Sequence, residues 1–439
     1  MFASPFARRR STGRFGASAA LAVALMGGTA LGVTALEAPA HAQKKAEKPQ
    51  YSKGFVAAYQ PVDEMLKAET PDLNAAKAAL PGVLAASETP DDKYATGGLY
   101  YNVGRLTEDT NLQLEGVKQM LGSGKTSAEN VAKFNTLAGQ LSYNAQDYAT
   151  ARTYLERAVE AGASELELTG LIAETYLNEG RTQDGLTYLR GTINDLVAAG
   201  QPVDEAWIKR GLSAAYEANN AEEAVQYSLL YVDQFPSESA WGDAIAIQRN
   251  MLQYDSQQTL DLLRLARRAN VLRSERDYLD YVDAADARRL PGEVDAVIAE
   301  GLADGNLSES NPYVVEVRNN ARGRVDADRA ELPKLAADAR KAGADSALLM
   351  ATGDAYLNYD RAAEAEEFYT MALDKPGVDT PRVLTRLGIA QLDQGKTEEA
   401  RATFAQVEGA RRAIARLWNA YAGRDMAAAP AATAEQPSS

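Results

Sequence analysis

The stretch Leu349–Val407, LMATGDAYLNYDRAAEAEEFYTMALDKPGVDTPRVLTRLGIAQLDQGKTEEARATFAQV, decides the fold. Leu349, Gly353, Tyr356, Ala365, Tyr369 and Ala372 set out one pattern of small and large apolar residues. Leu384, Leu387, Gly388, Gly395, Ala400 and Phe404 repeat most of it. Spacings of three and four place these side chains on one face of a helix, so a repeated pattern means a repeated helical unit. Gly353 and Ala365 are small where two antiparallel helices would cross closely. Tyr356, Tyr369 and Phe404 are large enough to fill the space beside such a crossing.

Gly388 follows Gly353 by 35 residues, close to the period of about 34 residues in tetratricopeptide repeats (TPR). The stretch resembles the TPR family. That resemblance implies an all-α protein, a TPR-like α-solenoid of antiparallel helix pairs. A single pair has apolar faces on both sides, so neighbours must stack and the ends need atypical caps.

Outward from the two strong repeats the pattern continues at Phe134, Leu137, Ala138 and Leu141, then Ala151, Leu155 and Ala158. Further copies run through Ile172, Ala173 and Tyr176, through Leu212, Ser213, Tyr216, Ala224, Tyr231 and Pro236, and through Tyr278, Tyr281, Val282 and Val294. A first pair interrupted by Pro61 and Pro81 and a degenerate pair over Tyr313–Ala342 are the irregular members. Ile414, Leu417, Trp418 and Tyr421 form the apolar side of a C-terminal capping helix, in which Trp418 reads as packing. DQFPSESA, residues 233–240, suggests a bend that would divide residues 55–236, an N-terminal helical-repeat arc, from residues 237–423, a C-terminal arc.

The ends read differently. Arg8, Arg9, Arg10 and Arg14 precede an apolar run from Ala17, and Ala40-His41-Ala42 fits a small-residue cleavage site. Residues 1–42 are therefore expected to be a signal peptide cleaved after Ala42, giving a periplasmic protein. Residues 43–54 read as a polar linker and 424–439 as a disordered tail.

Composition narrows the chemistry. Hydrophobic residues at 46% and charged residues at 24% suit a folded chain. A net charge of −15 opposes binding to phosphate backbones and so to nucleic acid. After Ala42 no apolar run reaches the roughly 18 residues that would span a bilayer. There is no cysteine, and the one histidine is His41 in the expected leader. Disulfides, Cys/His zinc sites and Ser–His or Cys–His nucleophiles are then excluded from the mature chain.

Two short motifs have bland readings. LGSGKTS, Leu121–Ser127, resembles a phosphate-binding loop, but Gln119 stands where its first glycine belongs and the preceding residues read as helix. A glycine turn at a helix end explains it. Glu309-Ser310-Asn311-Pro312 resembles the opening of the lytic transglycosylase motif without the element that should follow, and reads as a helix start. Clustered acids such as Glu364, Glu366 and Glu367 read as solvated helix faces.

In TPR-like stacks the first helix of each pair lines a concave groove. Carried over position by position, the groove residues are Glu174, Asn178, Asp283, Asp286, Asp354, Asn358, Arg382 and Asp393. Tyr-Leu-Asn recurs at 176–178 and 356–358, and an Asn amide can both donate to and accept from an extended peptide. The acidic bias of the set suggests a protein segment of basic or amide-rich character. The resemblance thus implies a non-catalytic interaction scaffold without metal or cofactor, and the expected leader implies its export to the bacterial cell envelope. An envelope glycan-cleaving enzyme using a Glu acid and a small-ligand carrier are the alternatives.

Overall fold

The computed structural model describes residues 48–424, in which twenty α-helices and one short 3₁₀ turn follow one another without a strand. The expected signal peptide, residues 43–47 and residues 425–439 lie outside the described residues. The helices pair in sequence as α1 (Lys53–Lys67) with α2 (Leu73–Ala85), α3 (Pro90–Leu106) with α4 (Thr110–Gly122), and α5 (Ala128–Asn144) with α6 (Tyr148–Glu160). The series continues with α7 (Glu165–Asn178) and α8 (Thr182–Ala198), α9 (Glu205–Glu217) and α10 (Ala221–Gln234), then α11 (Glu238–Met251) and α12 (Ser256–Arg268). After α13 (Glu275–Ala285) and α14 (Pro291–Ala303) comes a single long helix, α15 (Pro312–Ala339). Two more pairs, α16 (Ser346–Leu357) with α17 (Ala362–Leu373) and α18 (Thr380–Asp393) with α19 (Thr397–Ala405), precede α20 (Arg412–Ala422). The chain is thus an all-α solenoid of antiparallel pairs.

Local chemistry sets the boundaries. Ser52 accepts from Phe55 N and starts α1 at Lys53, two residues inside the segment expected to be linker. Ser237 caps α11 directly after Pro236, which ends the previous helix. Gly124 (φ +71°) closes α4, so LGSGKTS is the expected glycine turn, with Lys125 bonded to Asp91. Asn311 caps α15 and Pro312 is its first residue, so that motif is a helix start.

Two expectations are corrected. The pair expected over Tyr313–Ala342 is the one 28-residue helix α15. Pro61 and Pro81 lie inside α1 and α2 without interrupting them, as Pro333 does in α15. All three prolines are on exposed faces, where water can satisfy the carbonyl that each leaves unpaired.

The glycine argument holds in detail. A Cβ on Gly353 would sit 2.5 Å from the Tyr369 ring, and one on Gly388 would sit 2.5 Å from the Phe404 ring. Gly211 faces Tyr227 and Gly139 faces Leu155 at the same sequence offset. A small residue in the first helix thus receives the large side chain of the second, repeat after repeat.

The apolar core is not uniform along the chain. Three small clusters serve the first pairs: one around Phe55, Leu80 and Val103, one around Val117 and Phe134, and one around Leu155 and Ile172. From Ala173 to Ala422 a single cluster is continuous, and it runs straight through DQFPSESA. The cause is α20, which packs on α19 and also on α10, α12 and α18. Trp418 stacks on Phe404, Tyr421 Oη donates to the Arg268 carbonyl at 3.0 Å, and Gln248 Nε2 donates to the Ala413 carbonyl at 3.0 Å. The capping helix therefore closes the end of the chain back onto its middle.

Replacing Gly388 by Val should force the Phe404 ring out of its seat and cost about 1–3 kcal/mol. Urea unfolding of the variant is expected to show a lowered midpoint, and Gly388→Val with Phe404→Ala should recover part of the loss.

Candidate functional site

The eight expected groove residues fall into three places. Glu174 and Asn178 lie on α7, and they join a ladder across three consecutive first helices. Asn178 Nδ2 donates to the Tyr143 hydroxyl on α5 at 3.0 Å and to the Glu174 carbonyl at 2.8 Å. Both Glu174 oxygens accept from Arg210 on α9, at 2.5 and 3.0 Å. Asn178 is exposed, while Glu174 and Arg210 are half-buried. The bidentate pair fixes α7 against α9, and the amide fixes α7 against α5.

Asp283 and Asp286 stand on and just after α13. Asp283 is exposed and accepts from the Tyr313 hydroxyl. Asp286 ends α13 with φ +61° and pairs with Arg288 at 2.8 Å. That pairing, led by the Arg288 hydrogen bond, holds the Asp286 carboxyl below its usual range.

The last four residues are where sequence and structure part. Asp354 and Asn358 were expected to face outward into a groove, yet both are buried. The reason is the fold-back: α12 and α14 cover the face that α16 and α18 would otherwise present. Asp354 accepts from Arg386 Nη1 at 2.6 and 2.7 Å, from Arg382 at 3.0 Å and from the Tyr369 hydroxyl at 2.8 Å. Asn358 Oδ1 accepts from Glu293 N at 2.7 Å. This bond caps α14 from 65 residues away, because the residue at the cap position, Leu290, has no oxygen in its side chain. Gly292 permits the approach, since a Cβ there would lie 2.9 Å from the Asn358 carbonyl oxygen. Arg382 is also bonded to Gln257 Oε1 at 2.9 Å, and Asp393 pairs with Arg268. Although they share the Tyr-Leu-Asn register, Asn178 is exposed and Asn358 is buried.

Behind these residues lies a buried ion cluster that the sequence did not disclose. Asp261 on α12 is fully buried and accepts from Arg264 at 3.2 Å, from Arg386 at 3.0 Å and from Arg411. Glu293 holds Arg264 through two bonds, at 2.7 and 2.6 Å, and takes the Tyr281 hydroxyl at 2.7 Å. Trp418 Nε1 donates to the Asp261 carbonyl at 2.9 Å. Burial alone would raise the Asp261, Glu293 and Asp354 carboxyls, but the adjacent guanidiniums outweigh it and all three lie below their ordinary values. Asp261 and Arg264 lie one turn apart on α12, and nothing local in the sequence connects them to Asp354 or Arg386. Among the described residues no group of three or more His, Cys, Asp or Glu is placed to hold a metal ion.

No family model and no curated protein matches the chain. Among solved structures it is similar to the Naa15/Naa10 complex bound to HypK-THB, at 15% identity and a TM-score of 0.37, over 82% of this chain and 67% of that one. It is also similar to the TPR2AB domain of yeast Sti1 in complex with pHSP90, at 12% identity and 0.24, over 66% of this chain and 98% of that one. A third likeness is to apo RapI, at 11% identity and 0.20, over 78% of this chain and 99% of that one.

Asp261→Ala should leave three guanidiniums facing one another in the core and cost about 3–5 kcal/mol, measured by urea unfolding. Acid should act on the same cluster. Folded-state values below the unfolded carboxylate range of about 4 mean that this stabilisation is complete above that range and lost as pH falls through and below it. The urea midpoint should be flat from neutrality to about pH 5 and drop steeply below about pH 4. In Asp261→Asn, whose side chain cannot titrate, the drop should be shallower.

Proposed function

We propose that the chain is a non-catalytic protein-interaction scaffold, exported to the cell envelope, that receives an extended protein segment along α5, α7 and α9. The observation that carries this reading is the Tyr143–Asn178–Glu174–Arg210 ladder. The Asn178 amide nitrogen is taken up inside the ladder, which leaves its Oδ1 as an acceptor; the Tyr143 oxygen accepts from Asn178 and keeps its own O–H to donate. One acceptor and one donor side by side match the N–H and C=O of a peptide backbone. Because both Glu174 oxygens already hold Arg210, a basic partner gains little there. The amide-type partner is therefore favoured over the basic one. Asp283, exposed on α13, is a secondary candidate contact.

The partner is best sought by cross-linking in the producing cell followed by mass spectrometry, with parent and Asn178→Leu/Tyr143→Phe chains compared. Loss of both hydrogen-bonding groups should reduce the recovered partner roughly tenfold while thermal stability changes little. Undiminished recovery would reject the ladder as the docking surface. Export is tested separately: intact mass of the exported chain should correspond to a first residue of Gln43.

A further inference from the structure

Where α20 folds back, it does not close flush against the second helices of the stack. A cleft of about 550 Å³ remains, with α8 and α10 on one side and α19 and α20 on the other. Arg412 and Arg416 lie one turn apart on α20 and both line it. Like charges at this spacing repel, and neither guanidinium has a carboxylate partner among the described residues. Arg416 donates instead to a neutral acceptor, Gln226 Oε1, at 3.0 Å. Burial and then the neighbouring Arg412 pull its pKa below the ordinary arginine value. Across the cleft Arg190 is bonded to Glu223 at 3.0 Å. Asp233, the one carboxylate of the lining, accepts from Gln234 Nε2 at 2.8 Å. In a chain of net charge −15, two arginines are thus held accessible and unneutralised at the rim of a cleft. Its open apolar lining is Leu230, Ala405 and Ala420, with Leu229, Phe404 and Val407 buried behind them.

We propose that this cleft binds a small oxyanion-bearing ligand, its carboxylate or phosphate held by Arg412 and Arg416 and its apolar body laid on Leu230, Ala405 and Ala420. The volume suits a metabolite-sized molecule. Binding spans α10 and α20, so an occupied cleft also fastens the fold-back. This site is separate from the ladder on α5, α7 and α9, and either can fail without the other.

The test is the thermal midpoint of the full chain with inorganic phosphate, with octanoate and with NaCl at matched ionic strength. A ligand that binds the folded state alone raises Tm in proportion to its saturation. A response to phosphate alone identifies the phosphate class, to octanoate alone the carboxylate with an apolar body, and to both a general oxyanion site; each outcome supports the proposal. Affinity should fall about tenfold for each of R412Q and R416Q, and the double variant should respond like the parent in NaCl. Gln226→Glu supplies Arg416 with an internal carboxylate. It should raise the Tm of the unliganded chain and blunt the anion response. The proposal is overturned if neither anion exceeds NaCl, or if the double variant, folded by circular dichroism, responds as the parent does.

Discussion

One fully buried carboxylate, Asp261, determines how this chain differs from an open stack. It is met by guanidiniums from its own helix, from α18 and from the turn that opens α20. The last two are 125 and 150 residues away in sequence. A buried carboxylate without them would be intolerable, and four guanidiniums without three carboxylates would be worse. The cluster is therefore satisfied only where the C-terminal pairs dock on α12 as they do here, since any other docking would leave these buried charges unpaired.

Much of the fold was legible in sequence because it is local. Glycine in the first helix and a ring in the second are a property of one repeat, so Gly353 with Tyr369 and Gly388 with Phe404 could be read without neighbours. The same offset joins Gly211 to Tyr227 and Gly139 to Leu155; a search for that offset would have found both. α15 was misread because its apolar positions, Val314, Ala321, Leu332 and Ala336, are sparse enough to resemble two weak helices. The prolines misled for a related reason. What proline costs a helix depends on whether water reaches the freed carbonyl, and exposure is a tertiary property.

The groove residues show where local reading ends. Position within a repeat gave Glu174, Asn178, Asp354 and Asn358 the same role. The fold-back then divided them: the first two remain at the surface of α7, and the others became a buried ion pair and a remote helix cap. No feature of Tyr-Leu-Asn distinguishes 176–178 from 356–358, because the difference lies in α12 and α14. Charge was misleading in the same way. An acidic bias in the expected groove set suggested basic partners, yet Glu174, Asp286, Asp354 and Asp393 each hold an arginine of this chain.

The two halves of the described chain consequently obey different mechanics. From α1 to α7 each apolar cluster serves one or two adjacent pairs, so stability there is a sum of nearest-neighbour terms and local opening involves few partners. From Ala173 onward one cluster and one ion network join helices distant in sequence, so the loss of any pair disturbs several others. The ladder on α5, α7 and α9, proposed above as a docking surface, lies where that half meets the second. Its α9 end is anchored on the cooperative core through Ile208 and Ala215, while its α5 end rests on a small cluster of its own. A segment bound along it would therefore gain a fixed register at one end and compliance at the other.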